Sequence, residues 1–553
     1  MSRPESRVVR WSCRFGFVIA LGAGVGAAVG AVQPERYDLA ITGGWVVDGA
    51  GGPRFRADVG VRDGRIVRVG RLGGATGGFT ATVTVDAGGH IVAPGFIDPH
   101  THSLPALLTT PTADSLVRQG ITTVVDGNDG SSPLPLRTLF DRVAALHVSP
   151  NFAMLVGHGS VRATVMKTEN RAPTPAELEQ MRTLVGTAMA DGALGLSTGL
   201  AYVPGNYAST DEVVELARVV ANAGGLYVSH MRDEGGGVLE SVRETIRVGE
   251  GARIPVHISH HKVGGAQQFG QSADSLLLMK AARDRGVDVT FDQYPYTASS
   301  TGLSLMFPTW ALADDRLAAR LADPSQAPKV KAGVDRFIAE RFAGDPAKVQ
   351  IVRCGFNRAL AGKTIAELLD AAGRPQNAET FREMVVSLQL EGGCSAIFHA
   401  YAEPDVERFM QSDLGMIGSD GSLVALVRDA QGELAPTGES SPHPRAYGTY
   451  PRVLGRYVRE RGILSLEQAV RKMTSLPAAR LGFQDRGLVR EGLAADLVVF
   501  DASRIIDTAT FTDPHRYPEG IDAVIVNGDV VVDHGRHTGA TPGRVLYGPG
   551  RAR

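Results

Sequence analysis

Cysteine is scarce in this chain of 553 residues: there are three, and Cys13 lies near the N-terminus. That leaves Cys354 and Cys394, which can pair only with each other in an oxidising compartment. A protein with a large apolar core needs no such staple, so the two are expected as buried free thiols. Excess charge of either sign is also missing. With 57 basic and 59 acidic residues the net charge is −2, and no electrostatic footprint for nucleic acid is present. At 43% hydrophobic and 21% charged the chain is neither disordered nor a coiled coil. Long apolar runs are confined to the N-terminus, where Arg3, Arg7, Arg10 and Arg14 precede an uncharged stretch from Phe15 to Val32. Val29-Gly30-Ala31 offers a small-residue cleavage site, so residues 1 to 31 read as an export signal. Crossing a bilayer takes about 20 apolar residues, and no later segment supplies them. The mature protein is therefore expected to be exported, periplasmic or secreted, without a stable membrane span.

The remaining text divides into three styles. Residues 32 to 94 are short, alternating and Gly-broken, as in Asp38-Leu39-Ala40-Ile41-Thr42-Gly43-Gly44, which is the pattern of strands and tight turns. Residues 478 to 553 repeat that style in Ala495 to Phe500 and Ala523 to Val531. Neither piece buries enough apolar surface alone, so the two are expected to form one composite β-sandwich. Between them, apolar runs alternate with amphipathic helical stretches. Strand candidates at Ile121–Val125, Phe152–Val156, Ala193–Ser197, Leu226–Ser229, Ile254–Ser259, Val287–Phe291 and Leu414–Ser419 predict βα units around a parallel sheet. Helices are predicted at Pro175–Ala190, Asp211–Ala223, Gly237–Glu250, Ser272–Arg285 and Leu466–Leu476. The count suits a (β/α)8 barrel over residues 95 to 477. Such a barrel takes about 250 residues, so a small inserted subdomain is expected, at about 307 to 395.

Chemistry is carried by a scattered set of imidazoles and carboxylates. His100 and His102, in Ile97-Asp98-Pro99-His100-Thr101-His102, follow an apolar run, and residues i and i+2 of an extended strand share a side. Two imidazoles on one side suit zinc. Asp129, His230, His260 and Asp420 each follow a further strand candidate, where a barrel places its active-site groups. His260 shares a strand face with Val256 and Ile258, whereas His257 and His261 point the other way. His261 is expected to be packed or solvated. Gly235-Gly236-Gly237 has no strand-to-helix phosphate-loop context and reads as a loop.

Several longer stretches carry a resemblance: Gly-Phe-Ile-Asp-Pro-His-Thr-His (95 to 102), Gly-Ala-Leu-Gly-Leu-Ser-Thr-Gly-Leu-Ala-Tyr (192 to 202), Ile-Ser-His-His-Lys (258 to 262), Asp-Gln-Tyr-Pro-Tyr-Thr-Ala-Ser-Ser (292 to 300), Ile-Gly-Ser-Asp-Gly (417 to 421) and His-Pro-Arg (443 to 445). Residues 38 to 540 resemble the D-aminoacylase, or N-acyl-D-amino-acid deacylase, family of the amidohydrolase superfamily. The resemblance implies one or two Zn2+ ions, with His230 and His260 at the tighter site, His100 and His102 at the looser one, and Asp129 where the family has a metal-touching cysteine. A carboxylate is harder and less zinc-selective than a thiolate, so this departure bears on metal number and identity. It further implies Asp420 as general base turned general acid, and a small-molecule N-acyl amino acid substrate whose carboxylate meets Arg445, with Tyr294 and Ser300 as hydrogen-bonding partners. Lys262 and Arg232 are further substrate-binding candidates, and Tyr202 and His399 further pocket residues. Alternatives stay open: the same site acting on a D-containing dipeptide, a cyclic amide or another N-acyl compound, or a non-catalytic metal or ligand binder.

Overall fold

The computed structural model describes residues 34–73, 78–428 and 434–551; the expected signal, residues 1 to 31, lies outside them. At the centre are eight parallel strands in chain order: Phe96–Asp98, Ile121–Asp126, Asn151–Met154 continuing as Val156–Gly157, Gly195–Gly199, Leu226–His230, Val256–Ile258, Val289–Gln293 and Gly415–Ile417. Backbone hydrogen bonds from Asp420 N to His100 O and from His102 N to Gly421 O, both 2.9 Å, join the last strand's end to the first's. Side-chain alternation then sorts the strands' apolar residues into two layers. Ile97, Val125, Ala153, Leu155 and Val228 form one cluster, while their chain neighbours Phe96, Val124, Met154 and Tyr227 join the larger core with the surrounding helices. Both faces are buried, which is why these strands read as continuous apolar runs. Four of the five helices fall where the sequence places them, with Thr210–Asn222 capped by Ser209, whose side chain accepts from Glu212 N, rather than started by Asp211; the fifth, expected over Leu466–Leu476, breaks at the non-helical Thr474 into Leu466–Met473 and Ser475–Leu481.

A seven-stranded sheet draws on both chain ends, in the order Arg536–His537, Asp529–Asp533, Ile521–Val526, Leu497–Phe500, Ile91–Pro94, Trp45–Val46 and Phe55–Arg56. Its alternating residues face two ways. Val92, Leu497, Val499, Ala523 and Ile525 pack against Leu39, Ile41 and Val61 of a second, four-stranded sheet, while Ile91, Ala93, Val498, Phe500 and Val524 pack into the barrel's core. A buried polar knot reinforces that junction. Asp496 accepts from Asn527 N at 2.7 Å and from Asn151 Nδ2 at 3.0 Å, and Asn527 Nδ2 donates to Asn151 Oδ1 at 2.8 Å. The sandwich thus fixes the barrel end opposite the site, leaving the other mouth to loops.

Between the seventh and eighth barrel strands lies a subdomain with its own core, from Leu303 to Ala400. Its three strands, Ser299–Gly302, Cys394–Phe398 and Val349–Cys354, pair antiparallel under the helices Ala327–Phe342 and Ala378–Leu390. It begins ahead of residue 307 because Ser299-Ser300-Thr301-Gly302 forms a strand with no apolar alternation to announce it. Cys354 and Cys394 stand directly opposite each other in this ladder, with Cα atoms 4.4 Å apart, and are joined as a disulfide. The expectation of free thiols is overturned: sequence spacing says nothing of a register that places two cysteines within bridging distance.

Candidate metal centre

All six candidate groups gather at one barrel mouth. His100 and His102 lie just past the first strand, Asp129 past the second and His260 past the sixth, while His230 ends the fifth and Asp420 follows the eighth. Three of them, Asp129 (φ 56°), His260 (φ 34°) and Asp420 (φ 50°), adopt left-handed backbone conformations. Such residues cost on the order of 1–3 kcal/mol each and cluster where function demands a particular side-chain direction. Gly199 is required for the same packing, since a Cβ there would lie 2.2 Å from the Asp129 carbonyl oxygen.

Asp129 is the hub. Its Oδ1 lies 3.5 Å from His100 Nε2, 3.5 Å from His230 Nδ1 and 3.4 Å from His260 Nε2, and its Oδ2 lies 3.4 Å from His102 Nε2. Asp420 Oδ1 stands 3.1 Å from His102 Nε2 and 3.5 Å from His100 Nε2. Two donor sets result, sharing one carboxylate: His100, His102, Asp129 and Asp420, and Asp129, His230 and His260. Among the described residues, the buried His100 Nε2, His230 Nδ1 and Asp129 Oδ1 find no hydrogen-bond partner. Orphaned donors of this kind, nitrogen and carboxylate oxygen converging on one point, fit a divalent transition metal. Burial would raise the Asp129 pKa, but His100, His260 and His230 together hold it well below the usual carboxylate range. It is therefore an anion ready for a cation.

Two carboxylates outside the expected set, Asp292 and Glu234, fix the candidate ligands from behind. Asp292, at the seventh strand's end, sits 2.8 Å from His257 Nε2, accepts the His260 backbone N–H at 2.9 Å and approaches His100 Nδ1 at 3.7 Å. Glu234 Oε1 lies 3.1 Å from His260 Nδ1. Carboxylates behind metal-ligating imidazoles set tautomer and ring direction. The signal for Asp292 was its place at a strand terminus, opposite a buried histidine one strand over. His261 points away as expected: it bonds Ser275 Oγ at 2.5 Å, packs on Phe409, and burial pushes its pKa down to about 3.

The site opens into a cavity of about 610 Å³ walled by the inserted subdomain, and Arg445, Ser300, Lys262 and Tyr202 all reach it. Arg445 Nη1 donates to Asp420 Oδ2 at 2.7 Å and Nη2 to Ser300 O at 3.2 Å. Lys262 donates to Glu234 Oε1 at 2.6 Å. Tyr294 is buried one step back, its ring 4.8 Å from the Arg445 guanidinium carbon. Arg232 does not join them. Its guanidinium is committed to Glu244 (2.9 and 3.0 Å) and to the carbonyls of Asn206 and Ala208, so it braces the loop that carries Tyr202 instead of meeting substrate. His399 packs on Phe511, 4.7 Å between rings, and is not among the cavity's lining residues.

Comparison with known proteins adds to this geometry. The amidohydrolase family model matches residues 83–532, and a shorter match, to the urease alpha-subunit N-terminal domain, covers residues 7–92. A D-aminoacylase of Alcaligenes xylosoxydans xylosoxydans is 39% identical over 535 residues, 93% of this chain and 98% of that protein. An N-acyl-D-glutamate deacylase of the same organism is 37% identical, over 93% and 97% respectively. Among solved structures, the N-acyl-D-glutamate deacylase of Bordetella bronchiseptica, in complex with zinc and a phosphonate mimic of the tetrahedral intermediate, superposes with a TM-score of 0.77. It is 36% identical and covers 93% of this chain and 100% of its own.

Proposed function

Because this chain belongs to the amidohydrolase family, we propose that it hydrolyses the amide bond of N-acyl-D-amino acids in a metal-dependent reaction, releasing a carboxylate and the free D-amino acid. The observation that carries this reading is the pair of donor sets sharing Asp129, with Asp420 and Arg445 beside them at the mouth of one cavity. His100, His102, Asp129, His230 and His260 would hold one or two zinc ions. When bound, zinc polarises an amide carbonyl and lowers the pKa of water to about 7. Asp420 accepts the attacking water's proton and returns it to the departing nitrogen, converting a poor leaving group into a free amine. Arg445 keeps Nη1 on Asp420 and donates from Nη2 to the Ser300 carbonyl, and the N–H groups not used in those two bonds can take the substrate's α-carboxylate. One residue thereby holds both the proton acceptor and the substrate end that sets its distance. A panel of paired D and L N-acetyl amino acids, assayed with zinc-loaded protein, tests the proposal. The D members are expected to release amine at least about 100-fold faster, roughly 2.7 kcal/mol of transition-state discrimination. No amine from any member, or an L preference, overturns it.

The reading extends to location. An exported enzyme is supported by the arginine-led apolar N-terminus and by the Cys354–Cys394 disulfide, a bond kept in oxidising compartments. Mass spectrometry of fractionated cells is expected to find the oxidised pair and a processed N-terminus in the periplasm or medium. Free thiols and an intact Met1 in the cytosol would refute export.

A further inference from the structure

One side chain ties the inserted subdomain to the loops behind the metal centre. Arg341, next to last in the helix Ala327–Phe342, lines the cavity and is 15% exposed. Its guanidinium lies 5.6 Å from the ring of Phe337, one turn back, and Nη2 donates to Asp233 Oδ1 at 2.9 Å. Asp233 belongs to the loop that follows His230, and it folds that loop around itself. Oδ1 also accepts from Gly235 N at 2.7 Å, and Oδ2 from Gly237 N at 2.8 Å. Between these bonds stands Glu234, whose Oε1 is the group behind His260 Nδ1 and whose carbonyl accepts from Gly264 N at 2.7 Å. The run Gly235-Gly236-Gly237 now has a physical reason. A Cβ on Gly235 would lie 2.6 Å from Arg341 Cζ, one on Gly264 2.0 Å from Arg341 Nη1, and one on Gly237 2.9 Å from Asp233 Oδ2. A Cβ on Gly236 would meet nothing within 4 Å. The guanidinium is thus packed between two loops in a slot that glycine keeps open. Asp233 is 44% exposed, and an ion pair that wet adds little to stability, so a slot cleared on both loops is out of proportion to mere docking.

We propose that Arg341 is a positioning residue for the metal centre: from the subdomain it clasps Asp233, and so sets the Glu234 carboxylate that fixes the His260 ring. The inference rests on the metal-dependent reading above and adds to it a residue that holds no metal itself. The path of contacts is short. Arg341 fixes Asp233, and Asp233 fixes the backbone on both sides of Glu234. Glu234 in turn fixes the tautomer in which His260 Nδ1 carries the proton and Nε2, 3.4 Å from Asp129 Oδ1, is free to ligate. Lys262 also donates to Glu234, at 2.6 Å, so losing the clasp should misalign the carboxylate rather than release it. The subdomain that walls the cavity thereby also aligns the ligand set at its floor.

The test measures zinc affinity by chelator competition on the full chain without substrate, and then kinetics with the N-acetyl-D-amino acid that reacts best. Arg341→Ala is expected to weaken zinc at the Asp129, His230 and His260 set about tenfold, the lower end of what losing a ligand's outer partner costs. kcat should fall by a similar factor while KM moves less than about threefold, the split expected when alignment rather than substrate contact is lost. Gly235→Ala leaves every charge in place and only displaces the guanidinium, so it should reproduce both losses. The double variant should be no worse than either single one, and Gly236→Ala should match the native protein. Native zinc affinity in Arg341→Ala overturns the proposal. A rise in KM alone also overturns it, since Arg341 would then be a substrate contact, and so do additive losses in the double variant, since Gly235 would then act on something other than the clasp. Zinc is read without substrate, so a native protein that binds zinc but releases no amine sinks the N-acyl reading and leaves the clasp to be decided by the affinities. A native protein that binds no zinc sinks both.

Discussion

Asp420→Asn is expected to lower kcat by about 10²–10⁴, the range that a positioned acid–base group supplies, while zinc at the Asp129, His230 and His260 set is retained. The substitution isolates proton transfer because the amide copies the carboxylate's shape. Asn can still accept from Arg445, which lies 2.7 Å from Oδ2, so the carboxylate clamp keeps one anchor and KM should move far less than kcat. What Asn cannot do is take a proton. Burial would raise the Asp420 pKa, but Arg445 first, then His260, His102 and His100, pull it far below the usual carboxylate range, so the native group is an anion over the whole working range. Elemental analysis of the variant, beside steady-state kinetics, separates the possibilities. Zinc retained with kcat within tenfold of native would remove Asp420 from the chemistry. A protein that is only a binder would keep its ligand affinity unaltered.

Much of this arrangement is legible in the amino-acid sequence. Strand-terminal positions were readable for all six central groups, because parallel barrel strands are short apolar runs and the residue after each run sits at the mouth. The sandwich was readable because the two ends shared a style and neither could bury its own apolar surface. Other features were not. Ser299–Gly302 forms a strand whose residues are all small or polar, so the subdomain's start carried no hydrophobic signal. Arg232 looked like a substrate cation because it lies two residues past His230, but nearness in sequence does not report direction, and Glu244 from the following helix claims it. The disulfide depended on register alone. Beyond its place at a strand end, Asp292 carries no sequence signal of its role, since its work is done against His257 and the His260 backbone, contacts that exist only once strands six and seven are side by side.

Asp129→Ala is expected to have the broadest effect on metal, because it removes the one residue common to both donor sets. Losing an outer-layer partner typically costs 10–100-fold in affinity; losing the shared ligand should exceed about 100-fold and leave the dialysed protein essentially free of zinc, with kcat/KM down at least about 10³-fold, roughly 4 kcal/mol. His102→Ala serves as the contrast. It touches only one set, so the ion at His230 and His260 should survive dialysis in that variant. Equal metal loss from the two variants would mean that the sets are not separable and that Asp129 has no special place. Asp129→Cys asks why a carboxylate stands here at all. A thiolate is a softer zinc ligand and should restore metal under reducing conditions, yet it climbs the oxidation ladder when exposed, and the Asp129 side chain is not fully buried, at 13% exposure. In an oxidising compartment the carboxylate therefore preserves the centre at some loss of zinc selectivity. The Cys variant should lose zinc and turnover steadily in dilute peroxide while the native enzyme does not, and full metal content and activity through that treatment would show that oxidant resistance is not the reason for Asp129.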